Sequence, residues 1–299
     1  MKNFPIPLKG KSVNFPFEYY RYDKNCECFV VPFHCHDSQQ LVRIIQGHVS
    51  ITANSQTISL YEGDCCILGS NVVHCCVPCT DDTVFESVTF NLRDLFDLSQ
   101  PHYALIKMVV THQLEFNLFY NRPEDSEIKS RITAMFEALQ DNGICSTMIL
   151  IGKLIDIITA AIALDDYTLY DSEDANRLFK YHSKSSVIFR YILDNYKDEI
   201  TLEGMANSIE LSEKYFCKFF KEMTGYRPME FLNKFRIEAA AIELRSNLTE
   251  SINDIAQSCG FKDPCYFTKL FKRFIGLSPR EYREPHIHHF HYLPHNLKE

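Results

Sequence analysis

The stretches YFCKFFKEMTGYRP (Tyr215–Pro228) and YFTKLFKRFIGLSP (Tyr266–Pro279) carry one pattern, Y-F-x-K-x-F-K-x-x-x-G-x-x-P, 51 residues apart. A repeat at a fixed period means one small structural unit built twice in tandem. In each copy the aromatic residues recur at helical spacing, and Lys218 and Lys221, or Lys269 and Lys272, fall on the other side. One face is expected to anchor in a core and the other to meet an anion. Two copies of a recognition helix are therefore predicted, and with them binding to double-stranded DNA.

The flanking residues complete each unit. Thr201–Ser208 is expected to form a short helix with Leu202, Met205, Ala206 and Ile209 inward, followed by a turn at Glu210–Leu211. Ser212 suits an N-cap, because its hydroxyl can accept a free backbone N–H. The second helix then runs Glu213–Thr224, and Gly225 ends it. Phe216, Phe219, Phe220 and Met223 face a core, while Lys214, Cys217, Lys218 and Lys221 stay outside. In the second unit Ser251–Ser258 is the first helix and Cys259–Phe261 the turn, with Gly260 suited to a positive φ. Asp263 caps, Pro264 takes the first helical position, and Cys265–Ile275 is the second recognition helix. Met229–Leu244 is a long helix joining the two. Helix, tight turn and helix with a polar outer face is the helix-turn-helix layout.

The segments FLNKFRIEAAAIEL (Phe231–Leu244), SINDIAQSCGF (Ser251–Phe261) and YFTKLFKRFIGLSPREYR (Tyr266–Arg283) resemble the AraC/XylS family of bacterial transcription regulators. The resemblance covers about Ser186–Arg283. It implies two helix-turn-helix units entering successive major grooves of promoter half-sites on one face of the duplex. Carried over position by position, it makes Lys214, Cys217 and Lys218 base-facing in the first unit, and Cys265, Thr268 and Lys269 in the second. Lysine can donate to guanine O6 and N7, and Thr268 can offer its hydroxyl or methyl. Lys221 and Lys272 would hold phosphates and set register. Cys217 and Cys265 depart from the larger polar residues often found there, which thins direct readout at those bases. The resemblance also implies a homodimer that activates transcription with RNA polymerase as a partner, in the bacterial cytoplasm and on the nucleoid when bound.

Composition sets the bounds. The chain has 299 residues and a formal charge of −8, unevenly spread. Residues 1–183 hold 14 Lys and Arg against 23 Asp and Glu; residues 184–284 hold 16 against 15. The C-terminal part is therefore near neutral, and any DNA footprint must come from where its charges sit. Nine of the 12 cysteines precede residue 150. Met1–Gly10 has no apolar segment of the signal-peptide kind. The longest apolar run, near Ile144–Leu164, is interrupted by Lys153 and Asp156, so no membrane span is expected. In a reducing cytosol the cysteines read as buried fillers rather than disulfides.

Residues 1–24 read as an arm, with Pro5, Pro7 and Pro16. From Cys26 to about Leu92 short β-branched runs alternate with turn residues, as in a β-barrel or sandwich. Ile128, Ile132, Met135, Phe136 and Leu139 then mark one helix, and Ile144–Leu164 a second, apolar over much of its circumference. Such a helix must bury two faces, one on the barrel and the other on a second subunit or within the monomer. The expected organisation is α+β: a cupin-like barrel with two following helices over 1–164, a linker over 165–184, an all-α DNA-binding domain with two helix-turn-helix units over 185–284, and a His-containing tail over 285–299.

His34-Cys-His36, Gln40, Gly47, Gly63-Asp64, Gly69 and His74 resemble the cupin motif pair over roughly Pro32–Val77. In metal cupins these positions hold a first-row ion. Here Gln40 replaces the usual carboxylate and Ser70-Asn71 the usual Pro-containing turn. Strand alternation predicts that Gln40, Val42, Ile44 and Gln46 point inward and Leu41, Arg43 and Ile45 away. In arabinose-type members the positions matching Gln46, His74, Cys76 and Ser87 lie at the sugar. A pocket from His34, His36, Gln40, Gln46, His74, Cys76 and Ser87 offers hydrogen bonds without net charge. This suits a neutral sugar, polyol or glycoside as effector, with no cofactor. The alternative is a metal held by His34, His36, Gln40 and His74, or a thiol sensor. Members of the family use the arm before the barrel as a lid or brace; for Met1–Tyr20 that role and a plain frayed terminus are the two readings. No Ser-His-Asp or paired-carboxylate spacing, P-loop or dinucleotide fingerprint is present, so an enzyme is not expected.

Overall fold

The computed structural model describes residues 16–26, 29–140 and 143–284. The tail, most of the expected arm and Cys28 lie outside the described residues. The N-terminal half opens with strands β1 (Phe17–Tyr22), β2 (Val31–His34), β3 (Gln39–Gln46), β4 (His48–Ala53), β5 (Gln56–Tyr61), β6 (Cys65–Leu68), β7 (His74–Pro78) and β8 (Val84–Phe90). There follow α1 (Leu92–Leu95), α2 (Ala104–Val110), β9 (Leu114–Phe116), β10 (Phe119–Tyr120), α3 (Ser126–Ala138), α4 (Ser146–Ala163), β11 (Tyr167–Leu169) and α5 (Ser172–Asn195). The rest is helical: α6 (Leu202–Ser208), α7 (Glu213–Thr224), α8 (Pro228–Ser246), α9 (Ile252–Ser258), α10 (Pro264–Ile275) and α11 (Pro279–Arg283).

Two antiparallel sheets, ordered β1-β8-β3-β6-β10 and β2-β7-β4-β5, form the barrel, and β9 pairs with β11 beside them. Because side chains alternate along a strand, each sheet has two faces to bury. The inner faces meet in a core that includes Val42, Ile44, Ile51, Cys66, Leu68, Cys76 and Phe85. The outer face of the first sheet (Phe17, Leu41, Cys65, Val88, Phe90) packs on α3 and α4. The outer face of the second (Phe33, Cys75, Val77) packs on the C-terminal helices. Cys65 and Cys66, and Cys75 and Cys76, thus split between opposite faces as packing residues, as their alternation predicts.

Three expectations are corrected. Phe17–Tyr22 is not arm but a strand paired along its length with β8, and Phe17 is fully buried. The expected linker over 165–184 is largely regular structure: β11 pairs with β9, and α5 begins at Ser172. The acidic composition misled, because Asp171 is an N-cap that accepts from the N–H groups of Glu173 and Asp174, and acids in a first turn suit the helix dipole. Helix α4 is long and apolar enough to cross a membrane by length and composition, since its 18 residues hold only two charges. Here Leu150, Leu154, Ile157 and Ile158 bury one side of it on the barrel's helical layer. Met148, Ile149 and Ile155 stay exposed on the other.

The two repeats fold alike. Phe216 and Phe267 are buried, as are Phe220 and Phe271, while Tyr215 and Tyr266 are exposed. Gly225 and Gly276 close α7 and α10 in the left-handed region, at φ 79° and 89°. Asp263 caps α10 as expected, but the Ser212 hydroxyl accepts no bond from α7. Gly260 has φ +87°, and a Cβ there would meet the Tyr196 carbonyl oxygen at 2.5 Å, so the second turn demands glycine.

Helix α5 runs from one half into the other. Its C-terminal part supplies Ile188, Phe189 and Ile192 to the core of the helical half. The halves also meet directly. Phe33 stacks edge-on against Tyr226 and Phe231, at 6.1 and 5.6 Å between ring centroids. The Ser55 hydroxyl donates to the Glu222 carbonyl at the end of α7.

Candidate functional site

Helices α7 and α10 present the residues that the repeats single out. Lys214, Lys218 and Lys221 are exposed on α7, and Cys217 is half-buried between them. Cys265, Thr268, Lys269 and Lys272 are exposed on α10 and line one shallow groove with Pro264 and Arg273. Both basic faces are thus free of the core while the Phe side chains pin the helices from behind. Lys218 has a loose ion pair with Glu222 one turn on, at 3.8 Å, and Thr268 donates back to the Pro264 carbonyl at 2.9 Å. Exposed pairs of this kind are weak, and an incoming phosphate can displace them. The groove adds Arg273, which the repeat did not mark because position 273 has no basic counterpart in α7; Arg273 now pairs with Glu230 at 3.2 Å.

In the barrel the structure brings His34, His36, His74 and Gln40 together. The ring centroids of His34 and His74 lie 4.1 Å apart, and one nitrogen from each of the three rings lies within 4.8 Å of the others. Each ring is held from behind through Nδ1, by the carbonyls of Pro32, Ser38 and Val72 at 2.8–2.9 Å. With Nδ1–H donating in His34 and His74, Nε2 of those two rings is left as an acceptor. His36 Nε2 is taken up by Gln40 Oε1 at 3.3 Å, while His74 Nε2 is buried without a partner. Burial, and then the neighbouring rings, push these imidazoles down: His34 to about 4, His74 well below the usual value, and His36 downward mainly by burial. The cluster is therefore neutral near pH 7. The turn where a proline is usual is held otherwise: Asn71 is left-handed at φ 58°, and its N–H donates to the His36 carbonyl at 2.7 Å.

The other expected pocket residues lie elsewhere. Gln46 does not continue the inward row of Gln40, Val42 and Ile44. A register shift between Ile44 and Gln46 carries it to the exposed rim, where it bonds Asp82. Cys76 and Ser87 point into the barrel and are buried, and the Ser87 hydroxyl has no partner. Burial pushes the Cys65 thiol up to about 12 and the Cys75 thiol up to about 11, which keeps them protonated.

Outside the barrel two features were not foreseen. A cavity of about 110 Å³ lies between the first sheet (Leu41, Ile67, Phe90) and α4 (Leu154, Ile158), with His112 and Glu115 on its wall. At its edge His112, Glu115 and His182 cluster. His112 Nδ1 donates to Glu115 Oε1 at 3.0 Å, His182 Nε2 stands 3.7 Å from the same oxygen, and the two rings stack at 4.7 Å. Burial raises the Glu115 carboxyl, but the two imidazoles outweigh it and hold it down to about 2. Only His112-x-x-Glu115 is visible in sequence; His182 lies in a segment that read as linker.

Comparison with known proteins gives a consistent picture. Residues 18–155 match the AraC-like ligand binding domain family and residues 205–285 a helix-turn-helix domain family. The HTH-type transcriptional activator RhaS of Escherichia coli is 24% identical over 253 residues, which cover 85% of this chain and 87% of that one. The uncharacterized HTH-type transcriptional regulator YdeC of Bacillus subtilis is 23% identical and covers 95% of this chain and 99% of its own. Among solved structures, ToxT of Vibrio cholerae aligns at 15% identity and a TM-score of 0.49, over 89% of this chain and 97% of that chain.

Proposed function

From the premise that this chain belongs to the AraC family of DNA-binding transcriptional regulators, we propose that it is an activator switched by a small neutral effector bound at the barrel's histidine cluster. The observation that carries this reading is the convergence of three uncharged imidazoles, each held through Nδ1, with Gln40. The Nε2 atoms of His34 and His74 are acceptors, so the ligand must bring donors. A sugar or polyol does so through its hydroxyls; a carboxylate or phosphate does not. Gln46, Cys76 and Ser87 belong to this reading only as rim and wall.

Coupling to DNA follows from strand alternation. His34 and His74 lie next in sequence to Phe33 and Cys75, which pack on the C-terminal helices from the other face of the same sheet. A ligand drawing the two histidines together shifts the strands on which the helical half is docked. The effector then selects between two arrangements of the halves, a population shift. In this proposal Lys214, Cys217, Lys218, Cys265, Thr268 and Lys269 read bases. Lys221 and Lys272 hold phosphates, and the exposed side of α4 joins two copies into a dimer. Such a dimer works in the bacterial cytoplasm, on the nucleoid and with RNA polymerase.

The same acceptors also suit a transition metal, since imidazole takes several first-row ions. His34, His36, His74 and Gln40 would hold it. Thiol sensing by the buried cysteines finds no support in their raised pKa values. The test is the thermal midpoint of the full chain against sugars, polyols and glycosides, with and without EDTA, paired with operator affinity. A sugar or polyol that raises the midpoint regardless of EDTA, and changes operator affinity, supports the proposal. A midpoint that ignores every carbohydrate and falls with EDTA replaces the sugar with a metal.

A further inference from the structure

We propose that His112, Glu115 and His182 form a second site, which takes a divalent transition-metal cation of the zinc type and ties the helix that joins the two halves to the sensor. The three residues come from separate elements: the turn after α2, strand β9 and the middle of α5. Their ligand atoms all lie within 4.8 Å of one another. Two imidazoles and one carboxylate are a ligand set that zinc-like ions accept, with a fourth position left for water. Metal bonds of about 2.0–2.2 Å need donor atoms roughly 3.3–3.6 Å apart. Glu115 already stands 3.0 and 3.7 Å from the two histidines.

The protein alone does not satisfy this cluster. His182 is 2% exposed. Its Nδ1 is buried without a partner, and its Nε2 is too far from Glu115 for a hydrogen bond at 3.7 Å. Buried polar atoms are normally paired. A cation between His182 Nε2 and Glu115 gives that nitrogen the partner it lacks at 3.7 Å, leaving Nδ1 as it stands, and the single carboxylate lowers the charge that must be buried. His112 and His182 also line a cleft of about 520 Å³ with Asp37, Asn71 and Arg190, which leaves room for a water on the metal.

The consequence is mechanical. Below His182, α5 feeds Ile188, Phe189 and Ile192 into the core of the DNA-binding half. Glu115 sits opposite Thr168 in the β9–β11 pair that leads into α5. A bound cation thus fixes the sensor to the helix that carries the other half, and the cavity bordered by His112 and Glu115 lies against the same joint.

The experiment titrates Co²⁺, a coloured stand-in, into metal-stripped full-length protein and follows visible absorption and the thermal midpoint. Glu115→Gln and His182→Ala are each expected to weaken Co²⁺ binding roughly tenfold or more and to remove the metal-induced rise in midpoint. Glu115→Gln is isosteric and decides the matter should His182→Ala fail to fold. Unchanged Co²⁺ affinity in folded Glu115→Gln overturns the proposal, whichever other histidines hold the ion. Loss confined to His74→Ala also overturns it, by moving the ion to the barrel.

Discussion

Replacing Lys234 by Met tests how the two halves are held together. Lys234 of α8 pairs with Glu238 one turn on, and their side chains are 9% and 6% exposed. The ammonium also lies 5.4 Å from the Phe33 ring on the barrel and 5.8 Å from Tyr226. Met fills a similar volume but leaves Glu238 as an unpartnered buried carboxylate. Breaking a buried pair from one side costs about 3–5 kcal/mol. For a unit of about 100 residues each kcal/mol moves the midpoint by about 4–8 °C, so a fall of more than about 12 °C is expected. Burial raises the Glu238 carboxyl, and without Lys234 nothing offsets it. The folded variant then binds a proton that the unfolded chain releases above its ordinary carboxylate pKa, so stability falls as pH rises, and the deficit is larger at pH 8 than at pH 5. Replacing both residues, as Lys234→Met with Glu238→Leu, is expected to recover the wild-type midpoint to within about 1 kcal/mol, because both desolvation costs vanish. The chain has no tryptophan, so circular dichroism at 222 nm is the readout. A Lys234→Met loss below about 1 kcal/mol, or a double variant no better than the single, refutes the reasoning.

Further outcomes are expected. Lys218→Ala and Lys269→Ala each weaken specific operator binding by about 1–3 kcal/mol, whereas Lys272→Ala weakens binding to all sequences and lowers the salt slope by about one, as gel-shift titrations at several salt concentrations will show. In EDTA, stability drops as pH falls from about 6.5 toward about 4, because unfolding frees the depressed histidines, His34 among them, to take protons; replacing His34 and His74 by Gln flattens that slope in pH-stepped thermal melts. Met148→Glu, at a position 76% exposed on α4, yields a monomer by analytical ultracentrifugation with little change in midpoint; an unaltered mass removes α4 from the dimer reading.

What the sequence determined by itself is local and periodic. The repeat placed Phe216 and Phe267 inward, Lys218 and Lys269 outward and a glycine at each helix end, because a 3.6-residue period fixes faces without reference to any partner. Alternation did the same for Val42 against Leu41 and Cys76 against Cys75. Periodicity does not say what covers a face. Only the tertiary structure showed that Phe33 and Cys75 pack on the DNA-binding half, that an acidic stretch starts a helix spanning both halves, and that a register shift takes Gln46 to the rim. Lys234 and Glu238 stand at helical spacing, but only packing shows that they pair and that the pair is buried. The cluster of His112, Glu115 and His182 was legible only as the pair His112-x-x-Glu115. His112 and Glu115 are near neighbours, but His182 lies far along the chain, and packing brings it to them.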